Sequence, residues 1–151
     1  MVIATALLTI IGMVGGYLLG QHRDRVTEPV DNSVPTPVVV ATGPLCRKET
    51  QKMGADAGAA GELREVLKVR TARKTVVYIC QDEAGRLYYH ANKGGSKWIE
   101  GETALFLSNV WPTGEDSFTA EAWDGNTFSI DRNRLLITYG DGTQEEQLVV
   151  E

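Results

Sequence analysis

Residues Val2 to Gly20, VIATALLTIIGMVGGYLLG, carry no charge, and a run of that length can cross a bilayer hydrocarbon core of about 30 Å as a helix rising about 1.5 Å per residue. The sequence predicts a membrane anchor over residues 1–20. A cleavable leader would show a basic start, a shorter apolar stretch and a small-x-small site after it. No Lys or Arg precedes this run, and Leu18-Leu19-Gly20-Gln21 makes a poor cleavage site. Cys46 follows Gly43-Pro44-Leu45 far past the apolar run, so a lipoprotein signal is not met either.

Gly12, Gly16 and Gly20 recur every fourth residue. They line one helix face, which could serve as a close-packing homodimer seam, although glycine is common in membrane helices generally. Residues 21–44 contain Pro29, Pro35, Pro37 and Pro44 among Val, Thr, Ser and Asn. That composition favours an extended, semi-rigid linker, which at about 3.1 Å per residue reaches up to roughly 70 Å. Arg23 and Arg25 follow the apolar run and argue for a cytoplasmic domain by the positive-inside rule. Against them stand the linker and the even cysteine pair, which point to an extracytoplasmic domain held at a cell membrane by a single pass.

About 105 residues are left for the soluble part, 45–151, enough for one modest core. Its charge is divided. Gly43 to Trp98 holds 11 Lys/Arg against 6 Asp/Glu, a balance of +5, and Ile99 to Glu151 holds 2 against 11, a balance of −9. Oppositely charged strands paired across a sheet would account for this, and a pI near 5.1 excludes a general nucleic-acid surface.

The stretch LCRKETQKMGADAGAA, Leu45 to Ala60, predicts a short helix packing by Met53 and Ala57. After it the apolar period becomes two: Leu67 and Val69; Val76, Tyr78 and Cys80 against Val77 and Ile79; Leu87, Tyr89 and Ala91; Leu105 and Leu107. Phe118, Ala120 and Ala122, then Phe128 and Ile130, then Leu135, Ile137 and Tyr139, then Leu148 and Val150 continue it. Asp124-Gly125-Asn126, Asp131-Arg132-Asn133 and Asp141-Gly142 are hairpin turn residues, while Trp111 to Asp116 reads as a polar loop. The fold class is mainly β: a small antiparallel meander of about eight strands, closed or nearly closed into a barrel, with Cys46 and Cys80 expected as a disulfide staple, two reduced and buried cysteines of a cytosolic domain being the alternative.

Metal ligation fails on residue count, because His90 is the only histidine beside Cys46 and Cys80 and no paired spacing exists. No cofactor is implied. Glu100 and Glu102, two apart at a strand start, could form an acid/base pair for sugar hydrolysis or, more plainly, a solvated acidic edge. No serine sits in a nucleophile turn, and His90 has no carboxylate partner evident in sequence. The segment Tyr88-Tyr89-His90-Ala91-Asn92-Lys93-Gly94-Gly95-Ser96-Lys97-Trp98 gives a candidate binding rim: Tyr88, His90, Asn92, Lys93, Lys97 and Trp98 around a glycine turn, extended by Trp111 and Trp123. Core packing is the competing role for its rings.

The run from Cys80 to His90, CQDEAGRLYYH, with WIEGETALFL from Trp98 to Leu107, resembles uncharacterised N-terminally membrane-anchored proteins of actinobacteria, a likeness that carries no function. Tyr78-Ile79-Cys80 with Asp124-Gly125-Asn126-Thr127-Phe128 and a closing meander looks like the membrane-bound inhibitors of C-type lysozyme, small β-barrels that block a glycosidase cleft. Their serine- and glycine-rich inhibitory loop has no counterpart here, so no inhibitory residues carry over. Three functions are therefore expected in order: a non-enzymatic envelope domain binding a protein or cell-wall glycan, a lysozyme-inhibitor-like protein, and a minor glycan-processing enzyme.

Overall fold

The computed structural model describes residues 39–95 and 97–151. The expected anchor, its Gly12, Gly16 and Gly20 face, and most of the linker lie outside the described residues. Within them are one helix, α1 (Lys48–Asp56), and nine strands. The strands are β1 (Arg64–Arg70), β2 (Val76–Gln81), β3 (Leu87–Asn92), β4 (Ala104–Leu107), β5 (Val110–Gly114), β6 (Ser117–Glu121), β7 (Thr127–Ile130), β8 (Arg134–Thr138) and β9 (Gln144–Leu148).

Neighbouring strands pair antiparallel in sequence order, as a meander should, but they divide into two sheets, β1-β2-β3-β4 and β5-β6-β7-β8-β9. The expected barrel does not close. At the β1 edge the contact consists of a bridge between Thr71 and Val149 and a few backbone bonds, which join Arg70 to Val150 and Glu151 and the Ala72 amide to Leu148 O. The inner faces share one core, in which Leu67, Val77, Ile79 and Tyr89 of the first sheet meet Phe118, Ala120, Ile130 and Leu135 of the second. The Tyr89 and Phe128 rings stand 5.3 Å apart across it. Each of the larger of these side chains, Leu, Val, Ile or Phe, contributes about 1.5–3 kcal/mol by leaving water.

Three local expectations are corrected. Trp111 to Asp116 is not simply a loop, because Val110–Gly114 pairs with β6; Pro112 is tolerated there because β5 is an edge strand. In β9 the inward residue is Gln147, 8% exposed, whereas Leu148 is 60% exposed. The hydroxyl of Thr71 donates to Gln147 at 2.8 Å, and this polar pair fixes a facing opposite to the one the apolar pattern favours. Helix α1 is shorter than expected and seats itself through Thr50 and Gly54. Ala57 is exposed and Met53 only half-buried. A Cβ on Gly54 would lie 2.5 Å from Leu63 Cδ1, so the missing side chain is what lets the helix settle.

The charge division also takes another form. The basic strand β1, with Arg64, Lys68 and Arg70, pairs with β2, and β2 and β3 carry no Lys, Arg, Asp or Glu, while the acidic segments build the second sheet. Ion pairs between the halves include Arg73–Glu145 at 2.7 Å and Arg70–Glu151 at 3.6 Å.

Candidate functional site

The outer face of the first sheet carries the chemistry. Alternation on β1 puts Lys68 and Arg70 on this face, opposite Tyr78 and Val76 of β2. Farther along it come Cys80, Tyr88 and His90. Helix α1 covers the second group and leaves the first open. The helix is tied down by the disulfide Cys46–Cys80, with an S–S distance of 2.04 Å, by Gln51 bonded to the Leu63 backbone through both ends of its amide, and by Thr50, whose hydroxyl lies 2.8 Å from His90 Nδ1. The chain reaching the helix is also held, since Pro44 O accepts the Glu65 amide and Gln81 Oε1 accepts the Ala41 amide at 2.6 Å.

Asp82 anchors the other end of the covered face. Its carboxylate is fully buried and accepts from the amides of Ala60, Ala84 and Arg86, the Arg86 guanidinium and the Tyr88 hydroxyl, at 2.9–3.1 Å. Burial pushes this carboxyl up, but the donors together outweigh it and hold it below its ordinary range.

His90 is 1% exposed and enclosed by the Trp98 and Phe106 rings, at 4.7 and 5.5 Å. Burial first, then the nearby Arg47 charge, lowers it to about 4, so the ring is neutral at pH 7. Its Nε2 stands 3.4 Å from a Glu100 carboxylate oxygen without forming a hydrogen bond. Burial raises Glu100. A carboxylate neighbour for His90 thus exists where the sequence shows none. Hydroxyl, imidazole and carboxylate follow one another as in a nucleophilic triad, but Thr50 is fully buried in the packed helix, so the row joins helix to sheet and presents no nucleophile to solvent.

Glu100 and Glu102 are not a facing pair. They flank a turn before β4; Glu100 accepts the Phe106 amide on the outer side, and Glu102 borders a cavity of about 550 Å³ that reaches the inner side beside Tyr89, Phe128 and Ile137. Among the described residues no group of three or more His, Cys, Asp or Glu is gathered as a metal site.

The expected rim is divided between core and surface. Tyr88, His90 and Asn92 are buried, Trp98 is half-buried, and Lys93 and Lys97 are exposed. Asn92 instead shapes the glycine loop, its amide bonded to Lys97 O and Gly94 N at 2.8 Å each. Trp111 and Trp123, 38% and 97% exposed, belong to β5 and to the β6–β7 turn, away from this loop in the fold's order.

What the loop borders is a cleft. Arg47, Lys68, Arg70, Lys74, Val76, Tyr78, Gly95 and Glu151 line an open cavity of about 510 Å³. The Arg47 guanidinium stacks 4.2 Å above the Trp98 ring, and Lys68 Nζ lies 5.5 Å above Tyr78. Four cations face one carboxylate in the lining, and one of them, Arg47, is also paired with Glu49 at 2.9 Å. Sequence reasoning missed this group, although Lys68 and Arg70 at a spacing of two within LKVR already put both charges on one strand face.

Fold and site together define a disulfide-stapled, two-sheet β-domain with a cationic cleft beside its helix. Comparison of the chain with family models, with curated proteins and with solved structures returns no match.

Proposed function

We propose that this is a membrane-anchored, extracytoplasmic binding domain, non-enzymatic, whose partner is an envelope protein or a cell-wall glycan. The observation that supports the reading is the Cys46–Cys80 disulfide, because such a bond persists in oxidising compartments and is reduced in an ordinary cytosol. The apolar run Val2–Gly20 supplies the anchor, and its glycine face could pair two copies. The cleft beside α1 supplies a concave, cation-lined surface on which a partner could seat.

Mass mapping of native membranes without reductant tests the compartment: the reading expects a linked Cys46–Cys80 peptide and digestion of the domain by protease added outside the cell. Free thiols with a protease-shielded domain would overturn it. Retention on purified wall fragments, or crosslinking to an envelope protein, tests the binding role.

A further inference from the structure

We infer that the cleft between β1, β2 and the glycine loop binds an anionic glycan, a sugar or polyol chain that bears phosphate or carboxylate groups. The inference rests on the envelope reading and names the chemistry of its ligand. Arg47, Lys68, Arg70 and Lys74 converge on one cavity, and none of the ion pairs among the described residues uses Lys68 or Lys74. Lys68 and Arg70 sit two apart on β1, about 6.7 Å along the strand, so a chain laid along it meets a positive charge at each step.

The aromatic groups favour an anion over a neutral sugar. Trp98 and Tyr78 already have faces covered by Arg47 and Lys68, so in this arrangement they hold cations in place and do not offer those faces for stacking. Cations held in advance lose less rotamer freedom when a ligand arrives. The cavity, about 510 Å³, suits a short run of polymer better than one small ion. The second sheet is acidic and repels the same polymer, which confines binding to the basic face and orients the encounter. Glu151 at the rim reaches Arg70 at 3.6 Å and competes with the ligand for it.

The test uses the full chain in nanodiscs of neutral phosphatidylcholine, titrated with poly(glycerol phosphate), polygalacturonate and neutral dextran, and read by tryptophan fluorescence. At least one polyanion binds, more weakly as salt rises, and dextran does not. Lys68→Glu with Lys74→Glu weakens binding about ten-fold or more, and the Gln pair changes it in the same direction should the Glu pair fail to fold. Lys48→Glu with Lys52→Glu, the same charge change on exposed helix positions, costs no more than about two-fold, and Glu151→Gln strengthens binding about two-fold. Equal losses in the two lysine pairs, no polyanion binding, or affinity for phosphatidylglycerol vesicles without affinity for either polymer would overturn the inference. Wall-fragment retention that survives Lys68→Glu/Lys74→Glu overturns the cleft and leaves the envelope reading standing, whereas reduced cysteines behind the membrane overturn that reading even if polyanions bind in vitro.

Discussion

The two sheets share a core and differ in what covers their backs. The first has α1, the disulfide and the Trp98 loop over part of its outer face; the second leaves its outer face to solvent, with small polar contacts such as Thr119–Ser129 at 3.1 Å. Covering a second face brings polar groups inside, and each must then be satisfied. Asp82, Thr50, His90 and Asn92 are all buried on the first sheet or its helix. On the second sheet outer-face polar groups such as Thr119 and Ser129 keep access to water, and Gln147, turned inward on β9, is the buried exception. The first sheet should therefore fail through cross-links and polar networks, and the second through its apolar inner face.

The largest effect is expected from the disulfide. Cys46→Ala with Cys80→Ala releases a crosslink across a sequence separation of 34, worth about 4 kcal/mol by the chain-entropy estimate. Urea unfolding of the pair should show that loss, with the helix signal going first. A loss below about 1 kcal/mol would mean that α1 is held by packing alone and that the contrast between the sheets is overstated.

Asp82→Ala comes next. It leaves the Arg86 guanidinium, the Tyr88 hydroxyl and three amides without their acceptor, a cost of about 3 kcal/mol. Asp82→Asn should recover only part of this, because the amide keeps one acceptor oxygen and replaces the other with a donor. Equal stability of the two variants in thermal melts would show that charge, and not the arrangement of acceptors, is what this site requires.

These same features explain what the sequence made legible. Phe118, Ala120, Phe128, Ile130, Leu135 and Ile137 lie on one-sided strands, where alternation reports facing directly, and the Asp-Gly turns mark their ends: Gly125 and Gly142 adopt φ of 84° and 86°, values that suit glycine. On β2 and β3 both faces are packed, so Tyr88 and His90 alternate with core residues without being exposed. Nothing in a period of two reveals that a helix from 40 residues earlier covers them. Gln147 escaped for a related reason, since its partner Thr71 lies 76 residues away. The disulfide was readable because only two cysteines exist. The cleft was half readable, in Lys68 and Arg70, and half hidden, because Arg47 and Lys74 reach it only through the fold.

A pH titration sharpens the comparison at the helix interface. His90 is held near 4 in the fold against about 6.5 in an unfolded chain. Above pH 6.5 both states are neutral and the contribution is complete; as pH falls from 6.5 toward 4 the unfolded chain takes up a proton that the native ring refuses, and stability drops. The loss reaches about 2–3 kcal/mol by pH 4.5. Glu100 acts the other way, because burial raises it and the native carboxyl accepts its proton first, softening the acid end. Arg47 reinforces the lowering and Glu49 opposes it. His90→Gln should flatten the slope between pH 6.5 and 5. A slope unchanged in that variant would assign it to another group.

The smallest effect belongs to the open face of the second sheet. Thr119→Val together with Ser129→Ala removes their mutual hydrogen bond while keeping strand-compatible side chains, and both positions retain access to water, so the expected change is within about 0.5 kcal/mol. The contrast with Asp82 is the point of the measurement, since both variants delete polar contacts between neighbouring segments. If the Thr119/Ser129 pair costs as much as Asp82→Ala, then the outer face of the second sheet is covered in solution by a partner or a second copy, and burial there would have to be sought before the two sheets could be called different.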